Sequence, residues 1–387
     1  MSFTLDDDER VITEAAADFA AKRLAPHALD WDKDKHFPVD VIREAAELGM
    51  AAIYCGEDVG GTGLRRLDAV RIFEQLAVAD PVISAFISIH NMCAWMVDTY
   101  GTPEQRALWV PRLASMDAIA SYCLTEPGAG SDAAALRTKA VRDGEDYVLD
   151  GVKQFISGAG VSDVYVVMAR TGGEGARGIS AFIVEKGTPG LSFGANEDKM
   201  GWHAQPTAQV VLEGVRVPAA AMLGGPGGEG TGFGIAMNGL NGGRLNIAAC
   251  SLGGARAAYD RAAHYVRDRH AFGGPLLDEP TVRFTLAEMA TGLETSRLML
   301  WRAAEALDVD DPDKVALCAM AKLHVTDVGF DIADRALQLL GGYGYLREYG
   351  LEKIVRDLRV HRILEGTNEI MRMVIGRSVA GTVRASA

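Results

Sequence analysis

The chain has 387 residues, 48% of them hydrophobic, and a formal net charge of −13. That length exceeds what one ordinary core supports, so two or three domains are expected. The acidic balance lacks the basic footprint of a nucleic-acid binder, and no apolar run reaches the ~18 residues of a membrane span.

Up to about residue 116 the pattern is helical. Val11, Ile12, Ala15, Phe19 and Leu24 follow helical spacing; Val41, Ile42, Ala45 and Leu48 repeat it, and Gly49 ends that helix. The glycines at 56, 60, 61 and 63 mark a loop. Helical patterning returns over 67–79 and 83–100, with breaks at Asp80-Pro81 and at Gly101-Thr102-Pro103. Near Ala118 the character changes. Short β-prone runs at 147–149, 164–168, 179–184 and 210–212 alternate with turns, and Asp143-Gly144 and Asp150-Gly151 read as hairpin-type turns. Strands without intervening helices argue against a doubly wound sheet and predict a β-sandwich or barrel. Residues 223–234 are glycine-rich and read as a linker. Helix then dominates: Val282, Leu286, Met289, Leu293 and Leu300 form one stripe. A further helix starts at Asp311-Pro312-Asp313 and runs to Leu340, where Gly341-Gly342 gives a C-cap signal. The expected division is an α+β multidomain chain with a helical domain at 1–117, a β-domain at 118–230 and a helical domain at 231–387.

The acidic opening residues 1–10 have neither a signal peptide's apolar stretch nor a transit peptide's Arg/Ser bias. The five cysteines (55, 93, 123, 250, 318) are scattered without metal-ligand spacing, which fits free thiols in a reducing compartment. A soluble cytoplasmic protein without a metal is expected.

Three segments carry chemistry. In Cys123-Leu124-Thr125-Glu126-Pro127-Gly128-Ala129-Gly130-Ser131-Asp132 and in Gln338-Leu339-Leu340-Gly341-Gly342-Tyr343-Gly344-Tyr345, glycines and hydroxyls offer donors to a polar ligand. Neither is a G-x-G-x-x-G between strand and helix, so a Rossmann site is not supported, and each loop by itself could be a mere turn. The third is Arg362-Ile363-Leu364-Glu365-Gly366-Thr367-Asn368-Glu369. Gly366 permits an unusual turn, Thr367 suits an N-cap, and Glu365 would precede the helix. Burial would raise its pKa towards that of a useful general base. On this segment alone, a carboxylate stabilised by the helix dipole is the plainer reading.

The first two segments resemble the two signature patterns of the acyl-CoA dehydrogenase family, and the turn at Glu365 resembles that family's catalytic segment. The resemblance spans essentially the whole chain, including the α–β–α order, and implies a C-terminal four-helix bundle. It implies FAD held between the β-domain and the C-terminal helices, and removal of hydrogens from Cα and Cβ of an acyl thioester. Carried over, Tyr122, Leu124, Thr125, Gly130 and Ser131 would line the isoalloxazine, with Phe155, Ile156 and Ser157 on its other side. Arg269 and Phe272 would reach the FAD of a neighbouring subunit. Gln338, Gly341 and Gly342 would hold its adenosine part across a dimer interface, with Thr367 and Glu369 completing the site. Ser131, Asn241, Gly242, Gly243, Arg244 and Arg377 would contact the CoA thioester. One departure is Glu279-Pro280, where the family usually shows an amide side chain; it puts one contact to the neighbouring FAD in doubt.

Some members of the family place the base on the helix that here reads 241–247. Gly243 stands there, so Glu365 is the implied α-proton base. Thioester enolate charge would fall on the Glu365 backbone N–H and a ribityl hydroxyl of FAD. The version of residues 240–248 resembles members acting on short branched chains, so isobutyryl-CoA to methacrylyl-CoA, in valine breakdown, is the expected reaction. A 2-methylbutyryl-CoA or short straight-chain substrate is the alternative. Electron-transfer flavoprotein is the implied acceptor and a homotetramer the implied assembly. An acyl-CoA oxidase would carry a further C-terminal domain, and a nucleic-acid-binding flavoprotein of this fold would carry basic charge. His90 and His203 read as structural or pocket-wall residues, Trp202 as the tryptophan near the flavin, and Arg356, Arg359 and Arg362 as an ion-pair network.

Overall fold

Asp6 starts the first helix in a computed structural model that describes residues 5–385. Its carboxylate accepts the Glu9 N–H at 2.8 Å while the Glu9 carboxylate accepts the Asp6 N–H at 3.1 Å, a reciprocal capping box. Six helices follow from this start: α1 (Asp7–Phe19), α2 (Ala28–Asp34), α3 (Val39–Glu47), α4 (Arg66–Ala79), α5 (Pro81–Tyr100) and α6 (Pro103–Ala114). The Asp80-Pro81 break is an N-cap. Asp80 Oδ1 accepts the Val82 and Ile83 N–H groups at 2.7 and 3.3 Å, and Pro81 takes the first helical position, where no N–H is needed.

The middle of the chain gives β1 (Ala120–Cys123), β2 (Lys139–Asp143), β3 (Asp146–Ser157), β4 (Val164–Arg170), β5 (Ile179–Glu185), β6 (Leu191–Phe193) and β7 (Thr207–Pro218). They form one seven-stranded sheet in the order β1-β4-β2-β3-β7-β6, with β5 on the other edge of β4. The sheet curls around its own core: Tyr147, Tyr165, Val167, Phe182, Val210, Leu212 and Val217 pack in one cluster. Alternation explains β4. Tyr165, Val167 and Ala169 face that cluster, whereas Val164, Val166 and Met168 pack with Trp109, Val110 and Leu113 of α6. Both faces are buried, so the strand is apolar throughout.

Two local expectations are corrected. Asp143-Gly144 does form the β2–β3 hairpin, but Asp150-Gly151 lies inside β3, where the register against β7 shifts between Leu149 and Gly151. Gly151 sits at φ +155°, and a Cβ there would come within 2.4 Å of Thr138 Oγ1, so this glycine makes a bulge, not a turn. The linker is also shorter than expected. Gly232 already opens α7 (Gly232–Asp268), and it is glycine where a Cβ would strike the Ser180 backbone of β5.

The 37-residue α7 is followed by a small hairpin, β8 (His270–Ala271) and β9 (Gly274–Pro275), then α8 (Pro280–Asp308), α9 (Lys314–Leu339), α10 (Leu351–Arg359) and α11 (Asn368–Ala385). Helices α7, α8 and α9 pack on one another, α11 packs on α9, and α7 also lies on α4 and α5. One apolar cluster therefore runs from Phe19, Phe73 and Phe86 through Leu245 and Leu252 to Leu300, Val325 and Leu358, so the first and last helical parts share a core. His90 has the structural role expected: buried, it accepts the Ala120 N–H at 3.1 Å and faces the Leu113 carbonyl at 2.9 Å, tying α5 to β1. All five cysteines are free and buried.

Candidate active site

A cavity of about 920 Å³ opens between the start of the sheet, α7, and the turn before α11. Its size lies in the range of sites that enclose a ligand of drug size. Glu365 stands in its wall. Helix α10 ends in a 3₁₀ turn, where Val360 O accepts the Ile363 and Leu364 N–H groups at 2.8 and 3.0 Å. The chain then reverses through two left-handed residues, Glu365 at φ +57° and Gly366 at φ +90°, before Thr367 accepts the Ile370 N–H at 3.4 Å and α11 begins. A left-handed glutamate costs roughly 1–2 kcal/mol, so surrounding contacts have to hold it there. Two do: Arg244 Nε donates to the Glu365 carbonyl at 3.3 Å, and Lys322 Nζ donates to the Gly366 carbonyl at 2.8 Å.

The Glu365 carboxylate is out of contact with water at Oε2, which has no hydrogen-bond partner. Loss of solvation pushes its pKa up to about 7, against the pull of the Arg244 and Lys322 charges. A poised base near neutrality is what proton abstraction needs. Opposite it, Gly243 matters for more than lacking a carboxylate: a Cβ at 243 would lie 2.5 Å from Glu365 Oε2. Gly243→Ala is therefore expected to displace the carboxylate by a few tenths of an ångström or more. Turnover should fall by about 10- to 100-fold, with the protein still folded. Steady-state kinetics beside a melting curve check this.

Seven non-glycine residues hold a positive φ among the described residues, and three of them, Phe155, Trp202 and Glu365, line this one cavity. Such strain concentrates at working sites. Phe155 is 62% exposed, its ring facing open space, while Trp202 is buried with an unpartnered indole N–H. The Trp202 backbone N–H is fixed by Asp357 Oδ1 at 2.7 Å. Tyr122 also lines the cavity, and its hydroxyl is buried without a partner. Among mostly apolar walls (Ile89, Met92, Leu240, Ile247), three residues, Glu365, Tyr122 and Trp202, thus carry an orphaned polar atom, as ligand sites often do.

Three domain models, "Acyl-CoA dehydrogenase, N-terminal domain", "middle domain" and "C-terminal domain", match residues 6–117, 121–215 and 230–380. The chain belongs to the acyl-CoA dehydrogenase family. It is 54% identical over 98% of its length to the mitochondrial isobutyryl-CoA dehydrogenase of Dictyostelium discoideum, covering 91% of that protein. It is 52% identical to that of Bos taurus, with 98% and 90% of the two chains covered. The butyryl-CoA dehydrogenase structure from Megasphaera elsdenii superposes with a TM-score of 0.95 at 36% identity, covering 98% of this chain and all of the other.

Within this acyl-CoA dehydrogenase, Tyr122, Leu124, Thr125, Gly130, Ser131, Phe155, Ile156, Ser157, Arg244, Glu365 and Arg377 come together around the cavity. Asn241 stands behind Arg244 and accepts its Nη1 at 2.8 Å, and Gly242 lies against the Arg66 guanidinium. Thr367 caps α11, and Glu369 projects from the exposed first turn beside Arg372. The remaining group is elsewhere. Arg269 lies with its guanidinium 5.8 Å from the Tyr343 ring, at the exposed end that also carries Gln338, Gly341 and Gly342, and Phe272 is 90% exposed at φ +54°. These residues do not line the Glu365 cavity of the same chain. The arginine expectation divides: Arg356 pairs with Asp32 and Glu352, and Arg362 with Asp327, while Arg356 and Arg359 both line the cavity.

The sequence reading missed Lys322. It is fully buried on α9 among Cys318, Ala319, Ala321 and Val325. A lone lysine in a helical stripe of small apolar residues was the available signal.

Proposed function

We propose that the chain is an FAD-dependent dehydrogenase of isobutyryl-CoA, converting it to methacrylyl-CoA in valine breakdown. One observation carries the chemistry: a carboxylate with a free, desolvated oxygen, held on a strained turn, faces a cavity whose other wall is the first signature loop. The substrate assignment rests on relatives of that name at 52–54% identity.

The walls fit FAD. Tyr122, Leu124, Thr125, Gly130 and Ser131, with Phe155, Ile156, Ser157 and Trp202, line the cavity with aromatic rings and with backbone and hydroxyl donors. When bound, FAD supplies the acceptor for the hydride that leaves Cβ. The chain's own residues do the rest. The Glu365 carboxylate takes the proton from Cα, and its backbone N–H is the donor proposed for the thioester oxygen as enolate charge develops there. Arg244 keeps the Glu365 carbonyl in place, and Ile89, Met92 and Leu240 add apolar surface to the cavity. Ser131, Asn241, Gly242, Gly243 and Arg377 are proposed around the CoA thioester. Arg269, Phe272, Gln338, Gly341 and Gly342, exposed and together at one end, suit contact with FAD of a second subunit, as does a homotetramer. Thr367 and Glu369 are kept as the border of that site. Electron-transfer flavoprotein is the proposed electron acceptor. A cytoplasmic location is proposed on the five free, buried thiols, which fit a reducing compartment.

The test is anaerobic turnover of a panel of acyl-CoA esters with a dye acceptor. Isobutyryl-CoA is expected to exceed octanoyl-CoA in kcat/KM by about 10-fold or more, since each mismatched methylene contributes ~1–3 kcal/mol. A preference for octanoyl-CoA sinks the substrate reading, and a protein that bleaches with no ester sinks the activity.

A further inference from the structure

The turn that carries Glu365 is gripped twice. Its two successive carbonyls, of Glu365 and Gly366, each accept from a buried cation on a different helix: Arg244 on α7 at 3.3 Å and Lys322 on α9 at 2.8 Å. Lys322 Nζ also donates to Asn368 Oδ1 at 2.9 Å, at the first residue of α11. Asn368 in turn donates to Thr326 Oγ1 at 3.0 Å and Asp327 Oδ1 at 2.9 Å. Lys322 thus anchors both ends of the reversal, the left-handed glycine and the helix start.

Burial pulls the Lys322 pKa down to about 7, with the Glu365 charge the largest pull against it, so the ammonium has a cost that hydrogen bonding does not explain. Both of its acceptors are neutral amide oxygens, which an uncharged donor could satisfy without the several kcal/mol that burying an ammonium costs. No carboxylate hydrogen-bonds to it among the described residues. The charged groups facing it are Glu365 on the turn, Arg244 on α7, Asp327 on its own helix and Glu369 on α11. The neighbouring His361, after α10, is neutral, held far below its usual pKa by burial. Asp327 is already paired with Arg362 at 2.9 Å and Arg372 at 3.4 Å. Glu369 points to solvent beside Arg372. Glu365 is left as the counter-charge. Tyr122 on β1 and Cys93 on α5 also feel the Glu365 charge, and burial keeps both of them neutral.

We infer that Lys322 is a positioning residue for the base: with Arg244 it clamps the two carbonyls of the strained turn, and its ammonium is the through-space partner that keeps the carboxylate ionised and free of any direct hydrogen bond. A direct partner would occupy the oxygen that must receive the proton. A cation behind the turn stabilises the carboxylate without blocking it. The sign of the consequence is fixed. Burial raises the Glu365 pKa to about 7 against the pull of Arg244 and Lys322, so removal of the Lys322 charge raises it further.

This inference rests on Glu365 being the α-proton base, and the experiment separates the two. The carboxyl infrared band that disappears in Glu365→Gln is titrated in the FAD-loaded protein, without substrate, alongside the pH profile of kcat with isobutyryl-CoA. If the unaltered protein lacks turnover, or if Glu365→Gln retains it, the base assignment fails before any Lys322 variant is needed. Given an active protein, Lys322→Gln is expected to raise the midpoint of that band by about one pH unit and to move the acid limb of kcat with it. The high-pH plateau should fall by about 10-fold, with KM changing less than about threefold, because a misplaced base affects the chemical step. Lys322→Arg, which keeps charge and donors, should recover most of both. A folded Lys322→Gln whose carboxyl midpoint matches the unaltered protein overturns the inference, whatever its rate. So does a shift that Lys322→Arg fails to reverse.

Discussion

Replacing Glu365 by glutamine is expected to lower turnover about 10³-fold or more while FAD stays bound. Glutamine keeps the size and the turn, so the contacts of Arg244 and Lys322 to the two carbonyls should survive. What is lost is the group that takes the proton. Among the described residues, the other acid lining the cavity is Asp132, on the first signature loop, and position 243 is glycine. The pH profile adds a sharper check. Glu365 must be ionised to act, so kcat should rise through an acid limb near its pKa of about 7, and that limb should vanish in the variant. Stability should respond in the opposite sense. A carboxyl whose folded pKa is raised contributes stability below its ordinary value near 4.5 and loses it as pH rises through 7. Glu365→Gln should therefore melt like the unaltered protein near pH 5 and higher than it at pH 8. The difference is on the order of 2 kcal/mol, given that the residue is partly open to the cavity. Near-normal turnover in the variant would remove Glu365 from the mechanism.

Lys353→Met is expected to destabilise the protein by about 3–5 kcal/mol, through charges left behind. Lys353 is buried on α10 and donates to Asp357 Oδ2 at 2.8 Å and Asp80 Oδ2 at 3.3 Å, both carboxylates fully buried. Asp80 caps α5, and Asp357 holds the Trp202 N–H in the cavity wall. One ammonium thus joins the first helical part, the β6–β7 loop and α10. The two carboxylates hold the Lys353 pKa above its usual value despite burial, and burial pushes Asp357 up despite the lysine. The denaturant midpoint of the FAD-loaded protein should fall accordingly, and the triple variant Asp80→Asn, Lys353→Met, Asp357→Asn should recover part of the loss. A single variant within about 1 kcal/mol of the unaltered protein would show that water or relaxation compensates the charges.

Much of this was written locally. Helices α4 and α5, the strand β4 and the Asp80-Pro81 start were legible because apolar spacing and caps act within a few residues. Glu365 was legible as a candidate for the same reason: Gly366 and Thr367 signal a turn before a helix, and the resemblance of three segments told which carboxylate mattered. The local code gave no way to tell a bulge from a turn at Asp150-Gly151, since the same dipeptide serves both and only the partner strand decides. It also did not tell a base from a helix cap. That choice depends on how far burial desolvates the carboxylate against the pull of Arg244 and Lys322, which the fold brings to the turn from 121 residues before Glu365 and 44 before Gly366.

The sequence by itself determined the elements, their order and the chemistry present: a glutamate on a turn, a glycine at 243 and two glycine-rich loops. Tertiary structure alone decided that the helical parts share one core, that Gly243 must be small because Oε2 lies against it, and that a buried lysine from α9 faces the base. The reason is physical. Secondary structure follows from periodicity along the chain, whereas proton affinity and carboxylate placement follow from which distant groups replace water around it.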